Sequence, residues 1–284
     1  MLSIELSSPW PLQRGKMPYI PLWRGFGGGG NSLHPQYLGK HRLNLTTLDF
    51  AALINIFVCF TKKEITLTNI IEGSAGRPML MQYRMPEQIS HHGVLVMVHG
   101  FKGFMDWGHF PQVAEAFLEA GIPVLQFNFS HNGTTIDQPS DFADLEAFGH
   151  NNYSKELFDL NAILDAVEHL SDFKEAGIDT RNITLLGHSR GGGISILTAA
   201  KDPRVKKLIT WASVAAFGAF FGTEILEQWK EEGVIYSFNA RTQQEMPLYY
   251  QLYEDVLNNA ADIDILSAAA SISIPWQIVH GTHD

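Results

Sequence analysis

Ile183-Thr184-Leu185-Leu186-Gly187-His188-Ser189-Arg190-Gly191-Gly192-Gly193, continuing into Ile194-Ser195-Ile196-Leu197-Thr198-Ala199-Ala200, is the stretch on which the reading of this chain turns. It reads as a short buried strand, a turn too tight for ordinary side chains, and a helix. Its centre is Gly-x-Ser-x-Gly with Ser189 at the tip. A serine on such a strand-to-helix turn sits in a strained backbone conformation that lifts its hydroxyl clear of the sheet. Glycines two residues to either side let strand and helix approach without a Cβ clash. Ser189 is therefore a candidate nucleophile.

Outward from this stretch, the chain alternates. Upstream, Glu64–Ile71 and Pro78–Met85 each alternate with period two and are joined by Gly73-Ser74-Ala75-Gly76, a β-hairpin. Gly93–Val98 is a continuous apolar run, as in a strand buried on both faces, and ends in His99-Gly100-Phe101-Lys102-Gly103. A helix is predicted from about Trp107 to Ala120, a strand over Ile122–Phe129, and a long polar loop over Ser130–Asn152. Ser154–Ala176 reads as one amphipathic helix, with Leu157, Leu160, Ile163, Leu164, Val167 and Leu170 on its apolar stripe and its charges on the solvated face. Downstream, Val205–Trp211 is a strand and Phe217–Ser271 a helical, aromatic-rich insertion. Ile274–Val279 is a last buried strand, ending in His280-Gly281-Thr282-His283-Asp284. A hairpin followed by strands alternating with helices implies an α/β fold, a mostly parallel sheet covered on both faces. In such sheets chemistry gathers at the carboxyl ends of the strands, where His99-Gly100, Ser189 and Asp284 all fall.

Residues 1–61 differ from the rest. Pro9, Pro11, Pro18, Pro21, Pro35 and the run Gly27–Gly30 punctuate a stretch with no helical or strand period, which implies an irregular extension or one not native to the domain at 62–284. The glycine run lacks the strand, helix and Gly-Lys-Ser/Thr ending of a phosphate loop. Leu43–Phe60 is apolar but broken by Asn44, Asp49 and Asn55, too short and polar for a membrane anchor.

The 284 residues are 45% hydrophobic and 18% charged, enough for a sizeable core. A net charge of −10 argues against nucleic acid and anionic membranes as partners and leaves a small-molecule substrate. The single cysteine, Cys59, excludes an internal disulfide, reads as a buried small hydrophobe, and leans towards the cytoplasm. No helical His-x-x-x-His or Glu-x-x-His pair points to a metal, and no cofactor is expected. Oligomeric state is not legible.

With the Gly-x-Ser-x-Gly turn, a His-Gly-x-x-Gly turn after an earlier strand and a His-Gly-x-x-Asp turn after a later one, the chain from about Ile65 to Asp284 resembles the α/β-hydrolase superfamily. Within it, the esterase-like, serine-aminopeptidase-like and dienelactone-hydrolase-like groups look most similar. The resemblance implies Ser189 as nucleophile and Asp284 as the acid that orients a catalytic histidine. It also implies an oxyanion hole from the backbone N–H groups of Arg190 and Phe101, with Lys102 a lesser choice for the second donor. The segment at about 217–271 takes the position of the family's cap, where Phe220, Phe221, Trp229, Tyr249 and Tyr253 could line an acyl pocket or pack the cap's own helices. The expected activity is hydrolysis of an ester, thioester or peptide-like substrate through an acyl-enzyme.

The base departs from the pattern. The family places its histidine after the acid and an eighth strand, and here nothing follows Asp284, which suggests a hydrolase incomplete at its C-terminus, without its last strand and helix. None of the twelve histidines is an obvious substitute. His99 belongs to the oxyanion turn, His188 precedes the serine, His283 is set by the acid's turn, and His109, His131 and His150 sit in or beside loops at the catalytic end. The expectation is a poorly soluble, nearly inactive product with an apolar sheet edge at Ile274–Val279. The alternative is a non-catalytic protein of the same fold.

Overall fold

The computed structural model describes residues 65–218 and 223–282. The expectations for residues 1–61, for Cys59, for Phe220 and Phe221, and for His283 and Asp284 lie outside them.

The hairpin forms as predicted: β1 (Ile65–Glu72) pairs antiparallel with β2 (Pro78–Met85) across a 3-10 turn at Ser74–Gly76. β3 (Val94–Val98), β4 (Val124–Phe127), β5 (Ile183–His188), β6 (Val205–Trp211) and β9 (Trp276–Val279) run parallel to their neighbours in a sheet of order β1-β2-β4-β3-β5-β6-β9. β2 joins the parallel part by an antiparallel pairing with β4.

The continuous apolar run of β3 is divided between two cores by the strand's period of two. Val94, Val96 and Val98 face one core; Leu95 and Met97 face the other. The second core is closed by α1 (Phe110–Glu119) through Phe110, Ala114 and Leu118. The first, larger core receives α3 (Tyr153–His169), whose Leu160, Ile163, Leu164 and Val167 recur at helical spacing, and α5 (Arg190–Lys201), with Ile194, Ile196 and Leu197. Burying a side chain of this size contributes about 1.5–3 kcal/mol.

Five expectations need correction. The last strand is not buried: in β9, Ile278 is 65% and Val279 38% exposed. The loop at Ser130–Asn152 contains a short helix, α2 (Leu145–Gly149), capped by the Asp144 carboxylate, which accepts from Ala147 N–H. Asn152 caps α3 in the same way through Lys155 N–H. The predicted Ser154–Ala176 helix is two: α3 stops at His169, Leu170 is extended (φ −66°, ψ 110°), and α4 (Ser171–Glu175) follows. The charges of α3 are not all solvated, because Glu156 and Asp159 are buried on its core face.

The insertion, finally, is not all helical. α6 (Thr223–Glu232), α7 (Gln251–Asn258) and α8 (Ile265–Ser271) flank a second, two-stranded sheet, β7 (Val234–Asn239) with β8 (Gln244–Tyr249). The register Val234–Tyr249 to Asn239–Gln244 leaves the hairpin turn at Ala240–Gln243, with Gln243 at φ 58°. Trp229 is buried against this hairpin and donates its indole N–H to Leu248 O at 2.7 Å. Among the described residues no helix is long and apolar enough to cross a membrane.

Candidate active site

Ser189 ends β5 and starts α5 with φ 54° and ψ −120°, a left-handed backbone that a side chain adopts only under strain. The turn is pinned from both sides: Ser189 N–H donates to Trp211 O at 2.9 Å, and Ser189 O accepts from Gly192 N–H at 3.0 Å and Val214 N–H at 3.2 Å. The flanking glycines are required by space. A Cβ at Gly187 would lie 2.5 Å from Gly191 O, and one at Gly191 would lie 2.3 Å from His99 O. The second clash shows that α5 begins directly against the end of β3.

That end of β3 is the predicted turn. Gly103 N–H closes it onto Gly100 O at 3.1 Å, with Phe101 and Lys102 at its tip and Lys102 at φ 54°. His99 holds it from behind. Its ring donates from Nδ1 to Gly100 O at 3.0 Å and accepts at Nε2 from Phe129 N–H at 3.3 Å, with its edge against the Phe129 ring. Burial pushes the His99 pKa down to about 4, a fall that the Gly100 carbonyl partly opposes and the Arg190 charge reinforces. At neutral pH it is a neutral brace.

Phe101, Ser189 and Arg190 line one cavity of about 330 Å³. Its other walls are Tyr153 from α3, Val214 and Phe217 from the segment after β6, and Leu248 and Leu252 from the insertion. Among the described residues, neither Phe101 N–H nor Arg190 N–H has a hydrogen-bond acceptor, and the Ser189 hydroxyl has no partner. The arrangement can receive a carbonyl oxygen at two N–H groups beside a strained hydroxyl, with apolar surface for the attached group.

The Arg190 side chain is buried behind this surface. Its Nε donates to Glu156 Oε2 at 3.0 Å, and its guanidinium lies over the Tyr153 ring at 4.3 Å and the Phe101 ring at 5.5 Å. Glu156 Oε1 accepts from Asn151 Nδ2 at 2.8 Å. Burial pushes the Glu156 pKa up, and the Arg190 charge and these hydrogen bonds pull against it.

A family model described as alpha/beta hydrolase fold matches residues 93–224, a span that begins just before β3 and contains the turn at His99–Gly103, the Ser189 turn and β6. The chain has the α/β-hydrolase fold. The chain is 27% identical over 152 residues to a 31.7 kDa Escherichia coli protein of the traX-finO intergenic region, covering 54% of this chain and 46% of that one. It is 23% identical over 209 residues to the 2,6-dihydropseudooxynicotine hydrolase of Paenarthrobacter nicotinovorans, covering 74% of this chain and 49% of the relative. The chain thus spans about half the length of the curated relatives it matches. Among solved structures, Est1E from Butyrivibrio proteoclasticus superposes with a TM-score of 0.51 at 20% identity, over 76% of this chain and 78% of that one, a likeness of fold.

Of the site residues expected from the sequence, Ser189, Arg190 and Phe101 come together; Asp284 lies outside the described residues. His188 packs between Phe110 and Trp211. His131 is buried and hydrogen-bonds through Nδ1 to Ser130 Oγ at 2.7 Å, while Ser130 Oγ donates to Asp159. His150 pairs with Glu146 on the surface, and His109 precedes α1. None of these reaches the Ser189 hydroxyl. Of the insertion's aromatics, Trp229 packs with Tyr250 and Tyr253, and Tyr249 donates to Glu146 Oε2 at 2.5 Å; none of these four lines the cavity. Phe217 does. Sequence reasoning missed Glu156, although one signal was present: Tyr153, Glu156, Leu160, Ile163 and Val167 form a stripe at spacings of three and four, with the carboxylate inside it.

Proposed function

We propose that this protein is a serine hydrolase that cleaves a small ester, thioester or peptide-like substrate through an acyl-enzyme. The observation that carries the reading is Ser189, held at φ 54° on a strand-to-helix turn and opening on an apolar cavity beside two acceptor-free N–H groups. Ser189 Oγ attacks the scissile carbonyl carbon. The carbonyl oxygen becomes an oxyanion held by Arg190 N–H and Phe101 N–H, and the acyl group lies against Tyr153, Val214, Phe217 and Leu252. The leaving group departs with a proton, and water then releases the acyl group. Asp284 is the acid in this reading, and none of the described histidines is assigned as base. The hydrolase name of the Paenarthrobacter relative is consistent with the class and says nothing of this chain's substrate.

A second reading is a non-catalytic protein of the same fold. A fluorophosphonate probe separates the two. The serine-hydrolase reading expects one adduct per chain by intact mass, absent from Ser189→Ala. A chain that stays unmodified under conditions that label a control esterase would favour the non-catalytic reading.

A further inference from the structure

The end of β5 adjoins two cavities. The one that Ser189 lines is walled by Tyr153, Leu248 and Leu252 of the larger core. A second, of about 130 Å³, lies over the other face of the sheet, where its wall includes Phe110 and Trp211 of the smaller core. His188 lines the second cavity and the next residue, Ser189, the first, as the alternation of a strand directs. Gly100 also lines the second, and a Cβ there would stand 3.0 Å from Ser189 Cβ and 2.9 Å from His188 O. A substrate whose acyl group fills the first cavity thus has the second beside its other half.

No acidic residue lines this second cavity. Trp107 and His109 come from the turn before α1, His188 and Trp211 from the ends of β5 and β6, and Arg241 from the turn of the β7–β8 hairpin. Arg241 is exposed, and its guanidinium lies over the Trp107 ring, 4.7 Å from the centroid. Because Trp107 is part of the wall, that contact brings the charge to the cavity, where solvent reaches it. Among the described residues the Arg241 guanidinium has no carboxylate or carbonyl partner, and the indole N–H groups of Trp107 and Trp211 have no acceptor. Asp106, beside Trp107 in the chain, has Arg84 as its cation. On a chain of net charge −10, an acid-free cavity with an unpaired arginine is a place that attracts an anion.

The anion is a carboxylate by its chemistry. A guanidinium presents two parallel N–H groups that match the two carboxylate oxygens. One cation balances one negative charge, so a phosphate dianion would be left half-compensated. The indole rings suit the short carbon skeleton that carries the carboxylate.

We propose that this cavity is a leaving-group subsite in which Arg241 holds a carboxylate, so that the substrates are esters or amides of small hydroxy or amino acids with a free carboxyl group. Its part in the reaction rests on the serine-hydrolase reading of Ser189.

The test is equilibrium binding, by calorimetry, to the full chain carrying Ser189→Ala, so that no turnover is needed. The probes are O-benzoylglycolate and 3-(benzoyloxy)propanoate, each beside its neutral methyl ester. At least one acid should bind about tenfold tighter than its ester, the strength of a charge-assisted pair. Raising sodium chloride from 50 to 500 mM should weaken the acid and leave the ester in place, because the guanidinium is exposed. Adding Arg241→Gln should bring the acid-to-ester ratio close to one without changing ester binding, and Arg241→Lys, which keeps the charge and loses the fork, should retain part of the preference. Equal binding of acid and ester in both pairs, a preference that survives Arg241→Gln, loss of ester binding in that variant, or no binding by any probe would overturn the proposal. Fluorophosphonate labelling of the unmodified chain involves no carboxylate, so the reading of Ser189 stands or falls separately.

Discussion

Lowering the pH from 7 to 4 should loosen the turn that carries Phe101, because that turn is braced by a histidine with no room for a second proton. His99 Nδ1–H donates to Gly100 O, and Nε2 accepts from Phe129 N–H with Asn132 Nδ2 3.5 Å away. A proton on Nε2 would set a donor against these donors, in a site where burial already disfavours charge and Arg190 adds like-charge repulsion. The folded-state pKa of about 4 lies below the ordinary value of 6.5. Between those values the unfolded chain binds a proton that the folded chain refuses, so stability is full above pH 6.5 and declines as pH falls towards 4. The gap corresponds to a loss of about 3 kcal/mol at 1.36 kcal/mol per pH unit. Urea unfolding of the parent and of His99→Gln at half-unit steps of pH isolates this contribution. His131, also pushed down to about 4 by burial, and the buried carboxylates titrate in both proteins and cancel. The variant is expected to be less stable at pH 7 and to lose about 3 kcal/mol less on acidification. Parallel curves for the two proteins would refute the neutral-brace account of His99.

Other expectations follow from the same geometry. Gly191→Ala puts a Cβ 2.3 Å from His99 O and 2.6 Å from Val98 O, so α5 must retreat from β3; urea unfolding should register a loss of about 3 kcal/mol, and near-parent stability would contradict the contact. Ser189→Gly should do the opposite, raising stability by about 1 kcal/mol by relieving the left-handed backbone, and a lower urea midpoint would contradict the strain. Glu156→Ala leaves Arg190 buried and unpaired and should cost about 3–5 kcal/mol, whereas joint replacement of both by methionine should cost much less; equal losses would show that the pair's charges are not what holds α3 to α5.

The sequence carried the architecture where periodicity and side-chain volume decide it. β3 and β5 announce themselves as apolar runs because a parallel strand is buried on both faces, and the Ser189 turn is legible because glycine is the only residue that fits at 187 and 191. The insertion was misread for a physical reason. Val234–Asn239 and Gln244–Tyr249 are short, mixed in polarity and half-exposed, so neither the period of two nor an apolar run stands out, and what fixes them is Trp229 packing beneath the hairpin. The α3 charges misled in the same way: helical spacing puts Glu156 and Asp159 on the buried stripe, but only their partners, Arg190 in one case and Ser74 and Ser130 in the other, explain why carboxylates can stay there. Those partners lie on other elements, beyond the reach of local pattern.

The structure of the chain after reaction with a fluorophosphonate tests the central claim most directly. The account predicts a covalent bond between Ser189 Oγ and phosphorus, the phosphoryl oxygen within hydrogen-bond distance of both Arg190 N–H and Phe101 N–H, and the alkyl group in the cavity against Tyr153 and Phe217. An unmodified Ser189, or an adduct whose phosphoryl oxygen points away from those two N–H groups, would contradict it.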